Sequence, residues 1–138
     1  MVVGVGGNAL SPPAGSQSIE DERIAVMAVA AELASLARAG QRLLIVHGNG
    51  PQAGRLIEAE QPEAALDAIV AQTQGELGYL LAEALDGELG ADSTVALITR
   101  VLVDGDDPAL AEPTKPIGPV LDEAPVGASA VRQPDGSG

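Results

Sequence analysis

The stretch Leu43-Leu44-Ile45-Val46-His47-Gly48-Asn49-Gly50-Pro51 decides the fold of this 138-residue chain. Its first four residues form an apolar run without polar alternation, which is typical of a strand covered on both faces in a parallel sheet. The run ends at a histidine, two glycines and an asparagine, which favour a loop at the strand end. Pro51 suits the first turn of a helix, because its missing N–H would have no partner there. The stretch therefore predicts a buried strand, a glycine-rich loop and a helix that continues from Gln52 to about Glu60.

The segments before this stretch predict a first strand and a first helix. Residues 2–5 form a short β-branched run that stops at Gly6-Gly7, as a buried strand would. Ser18-Ile19-Glu20-Asp21 is a typical helix start, with a capping serine and acids in the first turn. Apolar residues then recur on one helical face until Gly40, which predicts the end of the helix.

The segments after the stretch predict a long helix and a third strand. Apolar residues recur at helical spacing over 66–85, where Gly75 and Gly78 would allow a close backbone approach. Residues 95–98 form a third apolar run, which 101–103 continue or pair with. The order of strand, helix, strand, helix, helix and strand predicts an α/β fold with a mainly parallel sheet.

Composition limits the function classes that the chain can serve. The 46% of hydrophobic residues include one aromatic, Tyr79, so the core must consist of small aliphatic side chains. The net charge is −13, from 20 acids against 7 bases, which leaves no basic face for nucleic acid or for an anionic membrane surface. No cysteine and a single histidine exclude a thiolate nucleophile and a His-rich metal site. With no signal peptide or apolar run of membrane-span length, we expect a soluble cytoplasmic protein.

Two glycine–asparagine loops are predicted to share one edge of the sheet. Gly6-Gly7-Asn8 follows the first strand and Gly48-Asn49-Gly50 follows the second. Ligands of open parallel sheets bind beyond the carboxyl ends of the strands. Glycines there let backbone N–H groups approach an anion, and the helix N-termini beyond add positive potential. The two loops together predict an anion cradle.

Lys115 is the only lysine of the chain, since the other six cations are arginines. It lies in Pro113-Thr114-Lys115-Pro116-Ile117-Gly118-Pro119, a proline-rich loop that excludes regular helix. A compact ammonium on a flexible stem suits an anion that moves or reacts. The alternative is an ordinary surface lysine, and the two loops favour the first interpretation.

Each signal taken alone also has a plainer explanation. Gly6-Gly7-Asn8 matches neither the dinucleotide-binding pattern nor the Walker A pattern, so a turn would account for it. His47 suits a hydrogen-bonded structural histidine better than a base. Asp21 and Glu22 are typical of a solvated helix face. The acids of 104–107 lack calcium-loop spacing and favour a turn.

Four segments together resemble the carbamate kinases of the amino-acid kinase family. They are Val5-Gly6-Gly7-Asn8-Ala9-Leu10, His47-Gly48-Asn49-Gly50-Pro51-Gln52-Ala53-Gly54, Ala71-Gln72-Thr73-Gln74-Gly75-Glu76-Leu77-Gly78-Tyr79 and Pro113-Thr114-Lys115-Pro116-Ile117-Gly118-Pro119. The likeness covers residues 1 to about 121, and the last two segments resemble carbamate kinases specifically.

The resemblance implies a three-layer αβα sandwich, a homodimer and phosphoryl transfer. The implied reaction joins ATP and carbamate to give ADP and carbamoyl phosphate, with Mg²⁺, and runs in cells mostly towards ATP. By the same resemblance, Gly6, Gly7 and Asn8 would hold the phosphoryl group, and Gly48, Asn49 and Gly50 the carbamate. Lys115 would neutralise the group in transit. No residue of this chain is implied as a metal ligand.

Carbamate kinases are much longer than this chain, so we expect it to be truncated. Residues 1–121 would form the carbamate and phosphoryl half, and 122–138 the flexible start of a protruding subdomain. The nucleotide-binding half has no counterpart here, so we expect the isolated chain to be inactive. Exposed apolar sheet edges would make it poorly soluble or dependent on dimerisation for folding.

Three alternatives to a kinase half stay open at this point. The chain could be a non-catalytic remnant that binds carbamoyl phosphate or another small anion. It could be a structural remnant without a ligand. It could also belong to a related enzyme that acts on another acyl phosphate, such as acetyl phosphate.

Overall fold

The computed structural model describes residues 1–11, 18–60 and 66–112 of the chain. The order of strand, helix, strand, helix and helix follows the prediction. The elements are β1 (Val2–Val5), α1 (Ile19–Arg38), β2 (Leu44–His47), α2 (Gly50–Glu60) and α3 (Leu66–Leu89). Two short 3-10 turns, Gly7–Leu10 and Pro108–Leu110, complete the regular structure of the described ranges.

The two strands pair in parallel, which confirms the predicted α/β fold with a parallel sheet. Val2 lies opposite Leu44 and Val5 lies opposite His47. The crossover between them contains α1, since parallel neighbours need a long connection. Both strands therefore end at the same edge of the sheet.

Local signals set the helix boundaries. The Ser18 hydroxyl caps α1 by accepting a hydrogen bond from a first-turn N–H, and Gly40 follows the helix with a φ of 87°, which glycine adopts without steric cost. α2 begins at Gly50, slightly before the predicted start, with Pro51 in its first turn. α3 continues to Leu89, beyond the predicted end near residue 85. Within the described ranges, no helix is long and apolar enough to cross a membrane.

The core lies between one face of the sheet and the helices α1 and α3. Its buried members are small aliphatic side chains, as the near absence of aromatics predicts; they are Leu10, Val26, Ala30, Leu33, Ala34, Leu77, Leu80, Leu81 and Leu85. Val3, Val5 and Ile45 pack against them from the sheet. Alternate strand residues thus face the helices, because successive side chains of a strand point to opposite faces.

The predicted burial of both strand faces is wrong for the described part of the chain. Val2, Leu44 and Val46 are 69%, 59% and 57% exposed. The described residues supply the sheet and the helical layer on one of its faces, and nothing in those ranges covers the other. This exposed apolar face is a structural reason to expect poor solubility. Poor solubility itself stays a prediction.

The predicted third strand at 95–98 is also wrong. These residues pair with neither β1 nor β2, and Val95 is 80% exposed. The segment lies instead against α3, where a Cβ on Gly78 would come within 3.1 Å of the Ala96 Cβ. Thr99 N donates to Gln74 Oε1 at 2.9 Å. An apolar run becomes a strand only beside another strand, and this run contacts a helix in the described structure. Gly78 does permit a close contact, although the group that approaches it is the Ala96 side chain and not a backbone.

Glu22 corrects the prediction of a solvated helix face. Its side chain is fully buried at the start of α1. Glu22 Oε1 accepts from Gln52 Nε2 at 2.8 Å and Oε2 accepts from Arg55 Nη2 at 3.2 Å. The two donors come from α2, so the buried carboxylate joins α1 to α2.

Removal of the Glu22 carboxylate will destabilise the fold much more than removal of an exposed one. Glu22→Ala leaves Gln52 and Arg55 without their acceptor, which we expect to lower the free energy of unfolding by about 2–4 kcal/mol. The matched control Glu83→Ala breaks an exposed pair with Arg23 and should cost much less, because exposed ion pairs contribute little to stability. Urea unfolding measures both values, and equal losses would show that Glu22 does not anchor α1 to α2.

Candidate functional site

The pairing of β1 and β2 brings the two predicted loops into contact. Gly48 N donates to Val5 O at 2.9 Å, which extends the ladder one step past β2. Gly6 alone separates β1 from the 3-10 turn Gly7–Leu10, and Gly48-Asn49 separates β2 from α2, which begins at Gly50. Gly6-Gly7-Asn8 and Gly48-Asn49-Gly50 are therefore neighbours at the carboxyl edge of the sheet, as the sequence predicts.

Two of the glycines pack the loops against each other. A Cβ on Gly7 would lie 2.9 Å from Pro51 Cδ and 3.3 Å from Gly50 N. A Cβ on Gly48 would lie 3.0 Å from Gly7 N. The backbones approach so closely that a side chain at either position would force a displacement.

The other two glycines border open space. No described atom lies within 4 Å of a Cβ built on Gly6 or on Gly50. Gly6 is exposed and Gly50 is partly exposed. Gly7 and Gly48 therefore set the spacing of the loops, whereas Gly6 and Gly50 leave room for a ligand beside the backbone.

Backbone N–H groups contribute positive potential at this edge of the sheet. The first N–H groups of a helix have no intrahelical acceptor, and at the start of α2 these belong to Gly50 and Gln52, since Pro51 has none. The helix dipole adds partial positive charge at the same end. Such an edge favours an anion even in a chain with a net charge of −13.

The two asparagines of the loops differ in their surroundings. The Asn49 side-chain nitrogen donates to Thr73 Oγ1 at 2.7 Å and to Val70 O at 3.4 Å, both on α3. Its amide hydrogens therefore hold the second loop against α3. Asn8, in contrast, is exposed.

Thr73 is a site residue whose role the sequence did not reveal. It is fully buried, and its hydroxyl lies 3.1 Å from the carbonyl oxygens of Ile69 and Val70. The hydroxyl accepts from Asn49 and donates within its own helix. The position of Thr73 on the apolar face of the predicted helix could have indicated a buried hydrogen bond, because a buried hydroxyl needs a partner.

Gln52 is the second residue that sequence reasoning missed. Its side chain is 1% exposed, and Nε2 lies 3.2 Å from Ser11 Oγ, 3.4 Å from Leu10 O and 2.8 Å from Glu22 Oε1. Gln52 Oε1 is buried without a hydrogen-bond partner among the described residues. Gln52 thus connects the end of the first loop to the buried carboxylate.

His47 occupies the structural position that the sequence predicts. It is the last residue of β2, it is partly buried, and its Nδ1 lies 3.3 Å from Gly48 O. The turn predicted at 104–107 is also present, with Asp106 N donating to Asp104 Oδ1 at 3.1 Å. The described ranges contain no group of three or more His, Asp or Glu side chains placed to hold a metal ion.

Lys115 lies outside the described residues, as do residues 122–138. The structure therefore leaves the predicted catalytic role of Lys115 and the boundary at residue 121 as predictions.

Substitution of Gly7 will separate the two loops, whereas the same substitution at Gly6 will not. The Cβ of Gly7→Ala would overlap Pro51 and the backbone of the second loop, which we expect to cost about 1–3 kcal/mol in the free energy of unfolding. Gly6 has a φ of −65° that alanine tolerates, so Gly6→Ala should change stability by less than about 0.5 kcal/mol. Thermal and urea unfolding measure the difference. Equal stability of the two variants would contradict the packing of Gly7 against Pro51.

Known proteins match both the sequence and the structure. The profile of the Amino acid kinase family matches residues 1–121. The carbamate kinase of Halobacterium salinarum is 42% identical over 127 residues, which cover 88% of this chain and 41% of that protein. Carbamate kinase 1 of Enterococcus faecium is 43% identical over 135 residues, which cover 90% and 43%. A carbamate kinase from Giardia lamblia bound to citric acid superimposes with a TM-score of 0.71 at 31% identity, covering 86% of this chain and 41% of that one.

These matches confirm the resemblance that the four motifs indicate, over the residues to which it was assigned. The chain spans less than half the length of the curated relatives it matches. Because the family profile matches residues 1–121 of 138, the chain belongs to the amino acid kinase family.

Proposed function

We propose that this chain forms the carbamate-binding and phosphoryl-binding side of a carbamate kinase. The observation that carries the proposal is the backbone contact between Gly7 and Gly48 at the carboxyl edge of a parallel strand pair. Two sets of N–H groups meet there beside open space at Gly6 and Gly50. The similarity to carbamate kinases supplies the substrate class.

The chemistry of phosphoryl transfer suits this arrangement. The transfer needs positioned groups and charge compensation more than a covalent catalyst. In the proposal, the N–H groups of Gly6, Gly7 and Asn8 hold the phosphoryl group in transit. The backbone of Gly48-Asn49-Gly50 holds the carbamate, because the Asn49 side chain already binds α3.

Lys115 supplies the mobile positive charge in this proposal. Of the described cations near the site, Arg55 contacts Glu22 and Glu76 and is thereby neutralised. A lysine from the proline-rich segment could follow the phosphoryl group from donor to acceptor, since its ammonium is a flexible point charge.

The remaining parts of the proposal concern the whole protein. Kinases of this kind use ATP and Mg²⁺, and bound Mg²⁺ would neutralise charge on the nucleotide phosphates. We assign the nucleotide contacts mostly to residues beyond this chain, a homodimer to the whole protein, and residues 122–138 to a separate subdomain that begins after 121. Carbamate and carbamoyl phosphate are the proposed small-molecule partners.

Binding of carbamoyl phosphate tests the proposed site, and Lys115 provides the critical variant. We expect saturable binding by calorimetry that Lys115→Ala weakens about tenfold or more, as expected for loss of a charge-assisted contact. The matched control Arg42→Ala also removes one exposed positive charge, but Arg42 precedes β2 at the opposite end of the sheet. Equal weakening by both variants would show a nonspecific charge effect, and no binding by the unmodified chain would refute the site.

Formation of ATP separates a kinase half from a binding remnant. In a chimera, residues 1–121 come from this chain and the remainder from carbamate kinase 1 of Enterococcus faecium. We expect it to make ATP from ADP, Mg²⁺ and carbamoyl phosphate in a coupled luciferase assay. A folded chimera that binds carbamoyl phosphate without forming ATP would favour the non-catalytic alternative. Faster turnover with acetyl phosphate would favour a different acyl phosphate as substrate.

A further inference from the structure

We propose that Ser11 is a positioning residue that fixes the Gly7–Asn8 peptide for anion binding. The inference rests on the proposed function, because it assigns the Asn8 N–H to the phosphoryl group. Ser11 does not itself touch the substrate in this account. It acts through a hydrogen-bond relay, defined here as Gly7 O, Ser11 Oγ, Gln52 Nε2 and Glu22 Oε1.

The relay is consistent in its donors and acceptors. The Ser11 hydroxyl donates to Gly7 O at 2.8 Å. The same oxygen accepts from Gln52 Nε2 at 3.2 Å, and this nitrogen also donates to Glu22 Oε1 at 2.8 Å. A hydroxyl can donate once and accept at the same time, so Ser11 can serve both contacts. Gln52 Nε2 also lies 3.4 Å from Leu10 O, so its two hydrogens serve three acceptors, of which Glu22 Oε1 is the nearest.

A fixed Gly7 carbonyl determines the direction of the next N–H. The peptide bond is planar and trans, so the Asn8 N–H points opposite to the Gly7 C=O. Ser11 holds that C=O on the side of Gln52. The Asn8 N–H therefore points away from the relay, and Asn8 is exposed at the loop.

The far end of the relay is rigid because it is buried and charged. Glu22 and Gln52 are 0% and 1% exposed. Glu22 also accepts from Arg55 Nη2 at 3.2 Å, and charge-assisted bonds in a low-dielectric interior are strong. A donor that is held in place before the ligand arrives loses less entropy on binding. Ser11 would serve this function by holding the Asn8 N–H in place before the anion binds.

A purely local role for Ser11 makes a different prediction. Ser11 also ends the 3-10 turn Gly7–Leu10, where its N–H lies 3.4 Å from Asn8 O. If the side chain only stabilised this turn, its loss would lower the free energy of unfolding without changing the affinity of the folded protein.

Substitutions of Ser11 in the full 138-residue chain distinguish the two roles. Ser11→Ala removes the hydroxyl, while Ser11→Thr keeps it and Ser11→Val is the nearly isosteric partner without it. The control Ser35→Ala removes a hydroxyl that donates to Glu32 O at 2.7 Å within α1, away from the loops. The readouts are the Kd for carbamoyl phosphate by calorimetry, the urea midpoint, and the amide resonance of Asn8.

We expect Ser11→Ala and Ser11→Val to raise the Kd about fivefold to tenfold, where tenfold corresponds to about 1.4 kcal/mol. The Asn8 amide resonance should shift in both variants, and Ser11→Thr should return the Kd to within about twofold of the original. Ser35→Ala should leave the Kd unchanged. If Ser11→Ala does not fold, the Kd values of Ser11→Thr and Ser11→Val distinguish the positioning role from the local one.

Three results would contradict either the positioning role of Ser11 or the proposed function, and each result shows which of the two fails. An unchanged Kd in folded Ser11→Ala or Ser11→Val refutes the positioning role and leaves the proposed function intact. Equal weakening by Ser11→Thr and Ser11→Val also refutes it, because the hydroxyl would then be irrelevant. Absence of carbamoyl phosphate binding by the unmodified chain refutes the proposed function itself.

Discussion

The parallel pairing of β1 with β2 is the constraint on which the rest of the structure depends. With Val5 opposite His47 and Gly48 N bonded to Val5 O, the loops that follow the two strands start side by side. An antiparallel pair would send these loops to opposite ends of the sheet. The close contact of Gly7 with Gly48 and Pro51 then follows from the register, because any side chain at Gly7 would collide with the second loop.

Buried polar groups fix the two loops at the carboxyl edge of the sheet to the helices. Gln52 and Glu22 connect the first loop to α1 and α2, and Thr73 connects the second loop to α3 through Asn49. Buried polar groups are costly unless each finds a partner, so these contacts specify one arrangement of the loops. In the proposed site, the donors on the open side are backbone N–H groups, which would let a strongly acidic chain bind an anion there.

Short-range patterns in the sequence were sufficient to predict the two strands, the three helices and the contact between the two loops. Apolar runs indicated β1 and β2, helical spacing indicated α3, and the rule for parallel sheets placed both loops at one edge. The same patterns failed where the outcome depends on distant partners. In the sequence, Glu22 resembles any first-turn acid, and only the fold brings Gln52 and Arg55 of α2 to its carboxylate. Residues 95–98 have the sequence pattern of a strand, although they lie against α3. Likewise, nothing local shows that the Asn49 amide is committed to Thr73 rather than to a ligand.

The measurement that tests the central claim most directly is a carbamoyl phosphate titration of the chain labelled with ¹⁵N at glycine, followed by amide NMR. We predict saturable shifts at Gly6, Gly7 and Gly50, whose N–H groups line the proposed cradle, whereas the Gly48 N–H already donates to Val5 O. The amides of Gly40 and Gly90, which follow the C-terminal ends of α1 and α3, should stay unchanged and serve as internal controls. Shifts spread over all glycines, or none at the two loops, would contradict an anion site built from the paired glycine loops.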